Sequence, residues 1–164
     1  MTNLVEGQRA PEFTLKAVEG KEHSLTSMLS SGPVVAAFFK VSCPVCQFTL
    51  PFLQRLHQQF GASDAAIVGI SQDSARDTRA FNQEYGVKFL TLIDEPPYPV
   101  SNAYGLTNVP TIFLIEQDRT IKVSSMGFGK SDLEKIAAEL ALWKKLPPAP
   151  FFRSDEIVPA YKPG

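Results

Sequence analysis

Hydrophobic and polar positions change their spacing along the chain, and each change predicts an element. In "APEFTLKAVEGKEHSL", Phe13 and Leu15 alternate with polar neighbours, Glu19-Gly20 marks a turn and His23 to Leu25 returns, which predicts a short β-hairpin. "VVAAFF" (34–39) is a continuous apolar run behind Gly32-Pro33 and predicts a buried central strand. From Pro44 to Phe60 the spacing becomes helical, with Val45, Phe48, Phe52, Leu56 and Phe60 near one face. Pro44 suits a first helical turn, Pro51 predicts a kink inside the helix, and Gly61 ends it. "AAIVGI" (65–70) reads as a second buried strand, followed by a polar helix over about 75–85 that stops at Gly86. "FLTLI" (89–93) is a third strand, and "EPPYPVSNAYGL" a loop with a short helix near its end. "TIFLIEQDRTIKVSS" (111–125) predicts two strands joined at Gln117-Asp118-Arg119. A last helix is expected from about Asp132 to Lys144, with Ser131 and Glu134 as a capping box and Leu133, Ile136, Ala137 and Leu140 facing the core.

The resulting order is a hairpin, βαβαβ, then ββα. It implies an α/β fold with a mixed central sheet flanked by helices on both faces. Residues 1–145 form the expected domain. Residues 146–164 carry five prolines and are expected to be an extended arm, held by Phe151, Phe152, Ile157 and Tyr161 on its own domain or on a second subunit. The 164 residues suffice for one such core. A net charge of −1 provides no basic footprint for nucleic acid, and no apolar run reaches the roughly 20 residues of a membrane span. The N-terminus lacks the pattern of a secretory leader. A cytoplasmic protein is expected if Met1 is the native start, and an extracytoplasmic or periplasmic one if a leader was removed.

Chemistry concentrates in "SCPVCQFTLP", which holds the only two cysteines, Cys43 and Cys46. Structural zinc commonly uses four ligands, and the only histidines, His23 and His57, are not paired with each other. His57 lies about three helical turns beyond Cys46 and reads as a solvated helix residue, and His23 as an ordinary hairpin residue. No metal is expected. Cys43 falls after a buried strand at the start of a helix, where unpaired N–H groups and the positive end of the helix dipole favour a thiolate. Cys46, one turn further in, is close enough to form a disulfide and more shielded. This arrangement reads as an exposed nucleophile backed by a resolving thiol. Lys40 would favour the thiolate if its ammonium lay nearby, although a strand-end lysine ordinarily faces solvent. In "NVPTIFLI", Pro110 precedes a strand, and local sequence alone favours the trans peptide.

Together "APEFTLKAVEGKEHSL", "VVAAFFKVSCPVCQFTLPFL" and "YGLTNVPTIFLIEQDRTI" resemble the thioredoxin superfamily, specifically the redoxin or TlpA-like thiol-disulfide oxidoreductases. These share a broader domain family with the alkyl hydroperoxide reductase/thiol-specific antioxidant proteins. The resemblance implies a thioredoxin-like fold, a cis Val109–Pro110 bond facing the cysteines, and a substrate held by Val109, Pro110 and Thr111 and by Pro44 and Val45 between the thiols. It implies exchange of a Cys43–Cys46 dithiol with protein or small-molecule disulfides, an electron-donating thiol system as partner, no cofactor beyond the redox disulfide, and a monomer or weak dimer.

Two alternatives stand beside it: a thiol-dependent peroxidase, and a metal chaperone or binding module without catalysis. Peroxiredoxins carry a Pro and a Thr or Ser ahead of the peroxidatic Cys and an Arg nearby. Those positions hold Ala36 and Lys40 ahead of Cys43, Phe39 and Cys43 ahead of Cys46, and about Pro110 for the Arg. The oxidoreductase pattern has departures too. Ser42 stands where thioredoxins have Trp, Ala37 where they have a buried Asp, and Thr49 where some TlpA-like reductases have Glu. The usual carboxylates for the Cys46 proton are therefore absent.

Overall fold

A computed structural model describes residues 2–61 and 65–164. The chain opens with a hairpin, β1 (Thr14–Ala17) and β2 (Glu22–Ser24), which leads directly into a short helix α1 (Leu25–Leu29). The returning strand, expected to run through Leu25, is shorter. Ser24 ends it, because its Oγ accepts the Ser27 N–H at 3.1 Å and caps α1. Strand β3 (Val34–Phe39), helix α2 (Pro44–Phe60), strand β4 (Ala66–Ser71), helix α3 (Ala75–Tyr85) and strand β5 (Leu90–Ile93) form the βαβαβ core. Helix α4 (Pro99–Ala103) follows, then β6 (Thr111–Ile115), β7 (Ile121–Met126), a two-residue β8 (Phe128–Gly129), helix α5 (Lys130–Trp143) and β9 (Tyr161–Lys162).

The main sheet has seven strands in the order β2-β1-β5-β4-β3-β6-β7. β3, β4 and β5 are parallel, and the remaining pairings are antiparallel. β3 is buried on both faces, which is why it reads as an unbroken apolar run. Val35, Ala37 and Phe39 point to the layer built with Leu50, Leu53 and Leu56 of α2, Phe81 of α3 and Ile136 of α5. Val34, Ala36 and Phe38 point to the opposite layer, with Leu25 and Leu29 of α1, Val100 of α4 and Tyr104.

Helix α5 begins at Lys130, ahead of the expected start, and the Ser131/Glu134 capping box does not form. The arm replaces it, since the Lys130 N–H donates to the Ala160 carbonyl at 2.9 Å. Asp132 instead accepts the Ser125 hydroxyl at 2.7 Å. The arm contains no helix. Phe151 and Phe152 are buried and Tyr161–Lys162 pairs with β8, but Ile157 is fully exposed and Tyr161 mostly so. Those two are not apolar anchors. Their place is taken by an ion pair, with Arg55 Nη1 2.9 Å from Glu156 Oε2. No helix among the described residues is long and apolar enough to cross a membrane.

Candidate active site

Strand β3 delivers the chain to the end of the sheet where α2 starts, and Cys43 is the N-cap of α2 (φ −85°, ψ 115°). Extended backbone there turns its sulfur back over the first helical turn, so Sγ accepts the Cys46 N–H at 3.1 Å. Pro44 at the first helical position has no N–H to satisfy. The Cys43 thiol donates to the Val109 carbonyl at 3.5 Å. Cys43 is partly exposed, Cys46 is fully buried, and both are free thiols. One turn of helix thus separates a reachable sulfur from a hidden one.

Burial pushes the Cys46 thiol far above its usual range, and its hydrogen bond with Cys43 adds to this. The Lys40 backbone N–H opposes the shift, whereas negative charge on Cys43 and Asp73 reinforces it. Neither position that could have held the customary carboxylate supplies a proton acceptor. Ala37 is buried in β3. Thr49 is buried too, and its Oγ1 donates back to the Val45 carbonyl at 2.6 Å within the helix.

Across from the pair, the Val109–Pro110 peptide is cis. Pro110 is buried, and its carbonyl accepts the Gly127 N–H at 2.7 Å. Thr111 is fully buried, with Oγ1 donating to the Asn108 carbonyl at 2.8 Å. Its side chain holds the loop. Val45 is half-buried against the core, and Pro44 is exposed beside the cysteines. Lys40 is exposed and lines a recess of about 170 Å³ with Gln72, Leu106, Thr107, Asn108 and Val109.

The structure also brings in a residue that the sequence reading passed over. Asp73 Oδ2 accepts the Val41 N–H at 2.8 Å, tying the loop before Cys43 to the loop after β4. A signal for it was present. Parallel strands that pair side by side, Phe39 opposite Ser71, bring their following loops to one end of the sheet. A carboxylate just after the second strand therefore lies near a cysteine just after the first. His57 departs from its expected place in solvent: it is half-buried, packs on Phe89 and leaves Nδ1 without a partner. His23 sits in β2, where its Nε2 is buried without one. Among the described residues no cluster of His, Cys, Asp and Glu is arranged to hold a metal ion.

The positions that would need peroxidase residues are equally plain. Ala36 and Phe39 are fully buried within β3, and Lys40 extends into solvent.

Thiol-disulfide oxidoreductase ResA of Geobacillus thermodenitrificans is 30% identical over 122 residues, covering 74% of this chain and 69% of the relative. The thioredoxin domain of a thiol-disulfide oxidoreductase from Bacteroides vulgatus superposes with a TM-score of 0.74 at 21% identity, covering 84% of this chain and 98% of that one. Peroxidoxin BcpB of Mycobacterium tuberculosis superposes with a TM-score of 0.72 at 24% identity, covering 88% and 99%. Both superpositions establish the thioredoxin-like fold. The profile described as the AhpC/TSA family matches residues 6–124, a span that takes in the hairpin, both cysteines and the Val109–Pro110 loop. With most of its length inside that match, the chain belongs to the AhpC/TSA family.

Proposed function

We infer that this chain is a thiol-disulfide oxidoreductase acting through Cys43 and Cys46. One observation carries the reading: a partly exposed sulfur at the α2 N-terminus accepts the N–H of a fully buried second cysteine one turn away. The similarity to ResA, a protein named for this activity, supports it.

The Cys43 thiolate attacks one sulfur of a substrate disulfide. Their S–S bond forms as the substrate's own S–S bond breaks, and the leaving sulfur departs with the electron pair and takes up a proton. Cys46 then loses its proton and attacks Cys43 Sγ. The Cys43–Cys46 bond forms, the mixed disulfide breaks, and the second substrate thiol is released. Two electrons pass from the pair to the substrate, and an external thiol donor restores the dithiol.

The fold divides these roles physically. The Cys46 N–H and the helix dipole stabilise charge on Cys43 in both steps. Burial keeps Cys46 protonated until Cys43 is engaged, so the two thiols do not compete for the first attack. The Val109 carbonyl, 3.5 Å from Cys43 Sγ, marks the side from which a substrate sulfur is approached. No metal or organic cofactor enters either step.

Cys43→Ser is expected to remove disulfide reduction, measured as thiol release from a model disulfide with dithiothreitol as donor. Retained turnover in that variant would exclude Cys43 as the nucleophile.

A further inference from the structure

The arm reaches the site that the exchange chemistry uses. After Val158, which packs against the core, the chain crosses the start of α5, where Ala160 accepts the Lys130 N–H at 2.9 Å. Tyr161 and Lys162 then pair antiparallel with Gly129 and Phe128. The Lys162 ammonium lies 5.1 Å from the ring centroid of Phe48, on the active-site helix. Gly127 faces this segment at positive φ (75°), and a Cβ there would run into the Lys162 carbonyl and lie 3.0 Å from the Gly164 nitrogen. Gly164 itself sits on the loop opposite the cysteines. A Cβ on it would collide with the Val109 carbonyl and lie 3.3 Å from Asn108 Nδ2. That carbonyl is the one that accepts the Cys43 thiol.

Resting on the exchange reading, we propose that residues 159–164 are a specificity strap that favours small disulfides over disulfides embedded in a polypeptide. A disulfide within a polypeptide carries main chain on both sides of each sulfur. To bring that sulfur to Cys43, the chain must lie along the Val109 peptide, where it could also pair as an added strand. Gly164 already occupies the space against that peptide. A low-molecular-weight disulfide needs room only for two sulfurs and short arms. A polar recess of about 170 Å³, lined in part by Lys40, Gln72 and Asn108, lies on the other side of Val109 and is left open.

The strap is held differently from the rest of the arm. Phe151 and Phe152 are buried and Glu156 is paired with Arg55, whereas the strap relies on a two-residue strand, the backbone hydrogen bond from Lys130 to Ala160 and one cation–ring contact. It can therefore be removed or loosened while its anchor stays in place.

The test compares the full chain, a chain ending at Val158, and full-length Lys162→Glu, which places a carboxylate over the negative face of the Phe48 ring. Initial thiol release is measured from hydroxyethyl disulfide and from insulin. Expected is a rise of about tenfold with insulin in the shortened chain and a smaller rise in Lys162→Glu, with hydroxyethyl disulfide changing by less than about twofold. Lys162→Glu keeps the full length, so the comparison survives if the shortened chain folds poorly. Normal reduction of hydroxyethyl disulfide with no rise on insulin in either variant overturns the strap while leaving the exchange reading intact. Parallel rises on both substrates also overturn it. If neither disulfide is reduced by any of the three chains, the exchange reading falls and the strap proposal with it.

Discussion

The start of α2 and the C-terminal arm meet at the same loop, yet they are built in opposite ways. At the start of α2 the decisive contact joins Cys46 to Cys43, three positions apart. It follows from helix geometry, because any N-cap side chain with lone pairs faces the free N–H groups of the first turn. The arm has a local turn too, in which Glu156 accepts the Arg153 N–H at 2.7 Å, but its attachment to the domain is long-range. Its ion pair joins Arg55 to Glu156 across 101 positions, and its strand pairs with β8 only because α5 has returned the chain to that side. In the proposed chemistry, then, the thiol pair is set by neighbours in sequence, and access to it by residues about a hundred positions away. The two can change independently.

The sharpest way to break that separation is Cys46→Ser. It is expected to reduce turnover to background and leave the substrate trapped on Cys43 as a mixed disulfide, detectable as an intact-mass increase that a reductant reverses. Loss of arm anchoring in the same variant, read by limited proteolysis, would show that the two regions are coupled. Next in size is Phe152→Ala. Phe152 is 7% exposed and packs on Phe52, Phe128 and Phe151, so its truncation should cost about 3–5 kcal/mol in denaturant unfolding. Ile157→Ala, on the same arm but fully exposed, serves as the contrast.

A pH dependence sharpens the view from the cysteine side. Burial raises the Cys46 pKa in the folded, reduced chain, so folding holds that proton more tightly than the unfolded chain does. Its stabilising contribution is complete below the unfolded thiol value of about 8.5 and declines as pH rises above it, by up to about 1.4 kcal/mol per unit. Tyr104, buried and shifted in the same direction, adds its own loss only above about pH 10. Between those values Cys46→Ala should show a shallower decline than the parent in urea unfolding; equal slopes would remove Cys46 as the cause.

The arm has the mirror dependence. Its hydrogen bond with Arg55 lowers the Glu156 carboxyl from 4.5 to about 2. That contribution is present above the unfolded value and is lost as pH falls towards about 2. Protease sensitivity of the arm should rise in that acid range, and Glu156→Gln should already show it at neutral pH. Smallest of all, Ile157→Ala should alter stability by no more than about 0.5 kcal/mol.

Much of the scaffold was legible in sequence because it follows from periodicity. The limits of β3, α2 and α3 coincide with the apolar run, the helical stripe and the Gly86 stop. Placing both cysteines at the start of α2 needed only a strand followed by a proline-led helix. Where the reading went astray, a partner distant in sequence had intervened. The Ser131 capping box did not form because the Ala160 carbonyl satisfies the Lys130 N–H. The expected anchors Ile157 and Tyr161 face outward because the Arg55–Glu156 pair sets the path of the arm between them and Phe152. Asp73 was missed because its partner Val41 is 32 positions away and on another loop.

By itself, then, the sequence determined the order of elements and the placement of its two thiols at a helix start, because hydrophobic period and helix-end chemistry act over a few residues. Only the tertiary structure decided that Cys46 is buried beneath Cys43, that Asp73 ties the loop before Cys43 to the loop after β4, and that Gly164 rests against the carbonyl that accepts the Cys43 thiol. Those outcomes depend on which strands lie side by side and where the chain returns.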